Sequence, residues 1–381
     1  MNQFILHIGR HKTGTSSLQK FLRQNRSTLA QHGYYYPNTD SSKDAHHAIA
    51  RNFNRKVLRL GNKVELKLLR DSLDSLFKEI SDRSETILLS SEAFQNCDPV
   101  LVAKRFDPKC TKVIVYIREQ VDYVISSYQQ AVHETSLSAS LEESVSKYPD
   151  YDNFINRWVS AFGRDNIVVR VYDRRYLCRA DIIHDFMSFL GVPTADNFVF
   201  LTEDKNPSIG GALLELKRLV NAVSHSSVEV NRKMFYNLFS DISTTNAEYR
   251  TRSHLSAPSI DSIRTAVSGS NKRVFDRYFG GVDVFARPEP QQPKEVAEVS
   301  VEDLARVLLE IRRRNSRVFE HIVDLLTSAR SAESTCSTFH PAVCSPSADL
   351  SADLMPLLER ALSAMQSVPN NFRLNLFASH R

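Results

Sequence analysis

The stretch "LHIGRHKTGTSSLQ", residues 6–19, joins an apolar run to a glycine turn and a cluster of hydroxyls. Phe4, Ile5 and Leu6 read as part of a short buried strand over 3–8. Leu18, Phe21, Leu22 and Leu29 fall on one face of a helix from 15 to about 31, with Gly33 placed to end it. The turn between them is a helix N-terminus, where backbone N–H groups lack intrahelical partners and the helix dipole draws an anion. Gly9 and Gly14 keep the spacing of the nucleotide-triphosphate loop G-x-x-x-x-G-K-[ST], in which the lysine follows the second glycine. Here Thr15 follows Gly14, and Lys12 comes two residues before it. The N–H groups of Gly14 to Ser17 and the hydroxyls of Thr15, Ser16 and Ser17 can meet an anion. Lys12 supplies the fixed positive charge within the loop, next to Thr13, with Arg10 and His11 beside it. A glycine-bearing turn with a serine cap is the plainer alternative.

The chain has 381 residues, 42% of them hydrophobic, which suits one large α/β domain or one domain with an extension and excludes global disorder. Its 49 basic and 44 acidic residues leave a net +5, too mild to argue for nucleic acid but compatible with a local site for a polyanionic small molecule. Cys97, Cys110, Cys178, Cys336 and Cys344 form no C-x-x-C pair and no metal spacing, and read as reduced thiols of a cytoplasmic protein. The N-terminal apolar run is too short for a secretory segment, and no stretch reaches the roughly 20 apolar residues of a membrane span.

Strands are expected at 85–92, 112–119 and 166–173. Helices are expected at 64–81, 121–134, 140–147, 153–162 and 181–191, the last closed by Gly191. "YYYPNTDSSKDAHHAIA", from Tyr34, reads mostly as loop. Strands alternating with helices predict a three-layer α/β fold with a mostly parallel central sheet flanked by helices. The expected organisation is an α/β domain over 1–285, a Pro-rich joint and charged helix over 286–330, and a low-complexity tail over 331–381 with a short helix near 353–366. The helical signal from about 210 onward makes this a helical C-terminal extension.

In "YIREQVDYVISSYQQ", Arg118 closes a buried strand and Ser126 follows eight residues later, about one turn into a helix that Asp122 can cap. Such an arginine can fork two hydrogen bonds onto a phosphate, and Ser126 can reach the same anion. With the first loop this suggests two anion sites on one ligand. A triphosphate site also needs a magnesium carboxylate at a later strand end. "TILLSSE" presents Glu92 there instead of the usual aspartate, so an ordinary kinase fits badly.

The combination resembles the sulfotransferases that use 3′-phosphoadenosine 5′-phosphosulfate. Their first motif, with a K-x-G-T-[ST] core, is matched by Lys12, Gly14, Thr15 and Ser16, and their second by Arg118 and Ser126. The bacterial branch carries "H-x-G-x-x-K-T-G-T-[TS]-S-L-Q", "G-x-x-Y-P" and "S-S-E", matched by His7 to Gln19, Gly33 to Pro37 and Ser90 to Glu92. The resemblance covers about residues 1–220. The glycine-rich third motif of the cytosolic animal enzymes is not visible, and the C-terminal third matches no family motif. The resemblance implies a P-loop-like fold and 3′-phosphoadenosine 5′-phosphosulfate as co-substrate, with no metal. The acceptor would be a small molecule or glycan with a hydroxyl or amine, such as a carbohydrate or glycolipid. A sulfuryl group carries one charge, and negative charge grows on the bridging oxygen as the bond breaks. A lysine inside the loop can lie against that oxygen, whereas a lysine after the second glycine lies along a triphosphate.

The acceptor must lose a proton as it attacks. Glu92 is the first candidate base, at the end of a strand between the two motif strands and beside the crevice of an open parallel sheet. The resemblance implies the same, since related enzymes place a histidine or glutamate near this point. Capping of the next segment, or pairing with Lys12, is the plainer role. His46 and His47 are rivals because imidazole titrates near neutral pH. Asn206 and Ser208, in "EDKNPSIGG", are candidates for nucleotide contact or simply a turn. "IRRRNSR", 311–317, reads as a solvated helix face and Trp158 as core. The competing functions are a P-loop small-molecule kinase and an inactive nucleotide-binding scaffold.

Overall fold

A computed structural model of the chain describes residues 2–38, 44–145, 148–194, 197–200, 208–223, 229–287 and 299–325, with 360 and 363. The chain forms two compact units, one of Met1–Tyr123, Tyr148–Glu203 and Asp261–Pro288, the other of Val124–Lys147, Asp204–Ile260 and Glu289–Arg381.

The first unit is built on five strands, β1 (Phe4–His7), β2 (Tyr34–Tyr35), β3 (Thr86–Ser90), β4 (Thr111–Ile117) and β5 (Ile167–Val171). They lie in the order β2-β3-β1-β4-β5, and every pairing is parallel. Parallel sheets are covered on both faces, which is why these strands read as nearly continuous apolar runs. Alternation along β1 shows the two faces. Phe4 and Leu6 join a core with Trp158 and Phe162, while Ile5 joins another with Leu18, Phe21 and Leu22. Helices α1 (Thr15–Gln24), α2 (Arg26–Gln31) and α9 (Ile182–Leu190) supply the second core. Helices α3 (His47–Arg51), α5 (Lys63–Glu79), α6 (Pro99–Ala103) and α8 (Tyr151–Phe162) supply the first. Leu18 and Leu22 are fully buried, each contributing roughly 1.5–3 kcal/mol. The three-layer α/β expectation therefore holds, and Trp158 is core, 1% exposed.

β3 lies between the motif strands in the chain but outside them in the sheet. β1 separates β3 from β4, so the loop after β1 has a strand end on each side. The chain runs from β1 to the β2 edge and back, then crosses to β4. The reversal makes the C-terminal end of β1 a topological switch point, where ligands of open α/β sheets bind.

Several local expectations are corrected. The helix over 15–31 divides at Asn25, whose amide donates to Phe21 and Val199 carbonyls while its oxygen accepts from Val199 N–H. Tyr34–Tyr35 is a short edge strand rather than loop. α4 (Arg55–Leu60) was not expected. Residues 141–144 form a turn rather than a helix, and 146–147 lie outside the described residues. α7 (Gln120–Glu134) is capped by Glu119, which accepts from Asp122 N–H at 2.9 Å, while Asp122 itself pairs with Arg287.

The second unit continues α7 and holds α10 (Gly211–Val223), α11 (Glu229–Thr245) and α13 (Val301–Arg314). α12 (Ala257–Tyr278) spans both units. Asn221 donates to the Val132 and Leu137 carbonyls, and Gln129 to those of Ile209 and Thr251, which ties α7 to α10 and the following segments. α13 opens with a Ser300–Asp303 capping box and breaks at Asn315 before a further helical segment, 316–325. Arg313 and Arg314 pair with Glu310, and Arg314 also reaches Asp241 and Thr245 of α11. The Pro-rich joint beyond Arg287, the low-complexity stretch and nearly all of 353–366 lie outside the described residues. No described helix is long and apolar enough to cross a membrane.

Candidate active site

The loop after β1 turns sharply. Lys12 has φ 65° and Gly14 φ 73°, both left-handed. Thr13 closes it by donating its hydroxyl to the Arg10 carbonyl at 2.7 Å. Gly14 is the N-cap residue of α1, so no serine caps this helix; in its first turn Ser16 and Ser17 are exposed while Thr15 is buried. The N–H groups of Thr15, Ser16 and Ser17 precede the first helical bond, from Leu18 N–H to Gly14 C=O. A Cβ on Gly14 would sit 2.8 Å from the Tyr172 ring, and one on Gly9 2.5 Å from the Thr15 methyl, so both glycines let the loop close on its surroundings.

Arg118, 106 residues away in the chain, reaches this loop directly. Its Nη1 donates to the Lys12 carbonyl at 2.9 Å. Its backbone is fixed at both ends by Tyr151, whose hydroxyl accepts from Arg118 N–H at 3.1 Å and donates to its C=O at 2.5 Å. The guanidinium lies 5.7 Å from the Tyr172 ring centre. Arg10 faces an aromatic cluster, with its guanidinium 4.7 Å from the Phe154 ring centre and close to the rings of Tyr151 and Tyr123. Its buried Nε has no hydrogen-bond partner among the described residues.

Glu92 leaves the sheet on the other side of the loop. Its Oε2 accepts from Gln19 Nε2 at 3.0 Å, and its Oε1 lies 3.9 Å from His47 Nε2. His47 Nδ1 is 2.7 Å from the Ser91 hydroxyl, which also caps the turn after β3 by accepting from Ala93 N–H. Burial pushes the Glu92 carboxyl up, but the Gln19 hydrogen bond and the nearby His47 and His11 outweigh it, so the carboxyl lies below its ordinary range. Glu92 thus both opens a turn and sits beside a titratable partner.

His46 is placed differently from its neighbour. It is buried, Nδ1 accepts from Ser90 N–H at 3.1 Å, and Nε2 is 3.2 Å from the Pro37 carbonyl. Burial lowers it to about 4. With both nitrogens spent, His46 cannot take a proton from an acceptor, which corrects its candidacy as base.

Three residues that composition and spacing did not single out join the network. Gln19 also donates to the Ser90 hydroxyl at 3.3 Å, and that hydroxyl meets His7 Nδ1 at 2.7 Å. His7 Nε2 is buried and has no hydrogen-bond partner among the described residues. Burial lowers His7 to about 4. Tyr151 is the third. Gln19 and His7 stand at the ends of the quoted bacterial motif, which was the available signal; Tyr151 left none.

Ser126 is a half-exposed residue of α7 in the second unit. Ser208 is exposed in the same unit, its carbonyl accepting from the Ser243 hydroxyl at 2.9 Å. Asn206 lies outside the described residues.

No protein-family model matches the chain. Over 242 residues it is 27% identical to an uncharacterized protein of Archaeoglobus fulgidus, a match that takes in 60% of this chain and 66% of that protein's length, just under two thirds. Among solved structures it is similar to a sulfotransferase from Alicyclobacillus acidocaldarius, with 17% identity over 70% of this chain and 96% of that one and a TM-score of 0.35. A likeness at that level bears on neither activity nor substrate.

Proposed function

We propose that the protein is a sulfotransferase that moves a sulfuryl group from 3′-phosphoadenosine 5′-phosphosulfate to a hydroxyl or amine acceptor. The chief support is the hydrogen bond from Arg118 to the Lys12 carbonyl. It holds the guanidinium from one strand end against the backbone of the anion loop after another, so a fixed cation stands beside the turn. The left-handed Lys12 and Gly14, with the open first turn of α1, fit a phosphate group better than a neutral ligand. The bound nucleotide supplies the sulfuryl group and a phosphate leaving group.

In this proposal the N–H groups of Gly14 to Ser17 and the hydroxyls of Thr15, Ser16 and Ser17 hold the 5′-phosphate, and Thr13 keeps the loop closed. Lys12 offsets the charge that builds on the bridging oxygen. Arg118 binds the 3′-phosphate, while Arg10 and His11 add positive potential near the loop. Ionised Glu92 takes the acceptor proton, and His47 stands next to receive or share it. The acceptor is a small molecule or glycan, with carbohydrate and glycolipid as the classes to screen first.

Thermal shift separates the readings. 3′-Phosphoadenosine 5′-phosphate should stabilise the protein more than ATP with magnesium, and stabilisation by ATP alone would replace the proposal with a kinase. Arg118→Ala should remove a charge-assisted pair of roughly 1.5–3 kcal/mol, a tenfold to hundredfold loss of nucleotide affinity, and abolish preference for the 3′-phosphate. An Arg118→Ala protein that keeps that preference sinks the assignment.

A further inference from the structure

Residues 51–70 contain seven Lys or Arg against one acidic residue, Glu65. That segment alone carries +6 in a chain whose total is +5, so the rest of the chain sums to −1. It comprises the end of α3, all of α4 and the first half of α5. α4 buries no side chain. Four of the ten exposed large hydrophobics among the described residues fall here: Leu58 at 41% exposure, Leu60 at 65%, Val64 at 70% and Leu68 at 63%. Val64 and Leu68, four apart, share a face of α5 that turns away from buried Leu69 and Leu76. Ala48, Arg51, Lys63, Val64, Leu68 and Leu69 line one open cleft of about 690 Å³. Gly61 keeps the α4–α5 turn tight, since a Cβ there would meet the Val57 carbonyl at 2.7 Å.

Single exposed apolar residues are ordinary, but four within twenty residues, ringed by cations, are not. Arg51 pairs with Glu65 and Arg55 with Asp98, while Lys56, Arg59, Lys63, Lys67 and Arg70 are exposed. We infer that α4 and the N-terminal half of α5 form a docking surface for an anionic lipid bilayer. Cations attract the headgroups, and Leu60, Val64 and Leu68 enter the acyl boundary. An anionic polysaccharide or RNA would satisfy the cations and leave these apolar side chains wet. α3 connects this surface to the candidate site, since it begins with His47 beside Glu92 and ends with Arg51 at the cleft. Given the sulfotransferase reading, on which this last step rests, the acceptor hydroxyl is carried by a lipid.

The test is co-sedimentation of the full chain with vesicles of phosphatidylcholine alone and with one third phosphatidylglycerol. Partitioning should be at least tenfold stronger onto the anionic vesicles and fall at high salt. The triple variant Leu60→Ser, Val64→Ser, Leu68→Ser keeps every charge and should bind about tenfold more weakly. Lys56→Gln, Arg59→Gln, Lys63→Gln together should do the same. All six positions are exposed, so thermal midpoints should stay near the parent's, and a variant that misfolds is replaced by single substitutions from the same set. Equal binding to both vesicle types overturns the proposal. So does anionic-vesicle binding untouched by the serine triple variant, which marks a polyelectrolyte or protein surface instead. No nucleotide takes part, so failure here leaves the sulfotransferase proposal standing, while failure of that proposal removes the lipid-borne acceptor and leaves the docking surface.

Discussion

Gln19 joins the two halves of the candidate site. One amide nitrogen serves both the Ser90 hydroxyl and Glu92, so a residue of the anion-loop helix helps keep the proposed base ionised. The carboxyl is depressed, so the ionised form is present above its folded pKa and is lost as pH falls through it. Gln19→Leu removes the hydrogen bond and leaves burial, which pushes the carboxyl up. The acid limb of kcat/KM should then move to higher pH while nucleotide affinity changes little. An acid limb that stays put would take Glu92 out of the base role. Glu92→Gln should lower kcat by roughly 10²–10⁴ with nucleotide binding retained. Lys12→Ala should lower kcat by about 10² or more, because its contact strengthens only as charge develops on the leaving group. Near-parental turnover in Glu92→Gln transfers the base to His47, since His46 has no nitrogen to offer.

At the scale of the element, the N-terminus of α1 depends on one backbone angle. Gly14 is left-handed at φ 73°, and the Cβ of any other residue would press on the Tyr172 ring and lie 3.2 Å from Ile182. Gly14→Ala should therefore lose about 1–2 kcal/mol of stability from backbone strain alone, with more from the clash. It should also disorganise the loop, so nucleotide affinity should fall further than the thermal midpoint. Calorimetry with and without 3′-phosphoadenosine 5′-phosphate measures both; parental affinity in Gly14→Ala would show that the loop does not hold the phosphate. The strand–turn–helix itself was legible in the sequence because periodicity and glycine placement are local. The break at Asn25 was not, because it depends on Val199, 174 residues on. β2 was missed because two residues hold too little pattern to be read.

For the whole molecule, two buried histidines make stability depend on mild acid. His7 and His46 drop from the ordinary 6.5 to about 4, chiefly through burial. Unfolded, both protonate near 6.5; folded, both stay neutral until about pH 4. Stability is then full above pH 6.5 and is lost as pH falls from there towards 4, by about 1.4 kcal/mol per pH unit for each histidine at its steepest. Denaturant midpoints at neutral and mildly acidic pH should show this slope, and His46→Gln should reduce it by one proton's worth. An unchanged slope in that variant would mean that His46 is exposed to protonation in the folded chain.

The sequence by itself determined the alternation of strands and helices, the buried parallel sheet, the place of Trp158 and the position of Lys12, Gly14 and Arg118 at strand ends. These follow from spacing along a few turns of chain, where apolar periodicity and turn chemistry act locally. Only the tertiary structure decided that β1 lies between β3 and β4, and hence that Glu92 and Arg118 flank the loop from opposite sides. It alone separated His46 from His47. His46 is the non-helical cap residue before α3 and His47 the first helical one, and one ring turns into the core against Ser90 and Pro37 while the other meets Ser91 and Glu92. Which ring goes which way depends on how α3 packs against β3, whose residues lie some 40 positions further along the chain. Arg10 likewise goes to Phe154 and Tyr151, because the aromatic face that receives it is built by α8, far away in sequence.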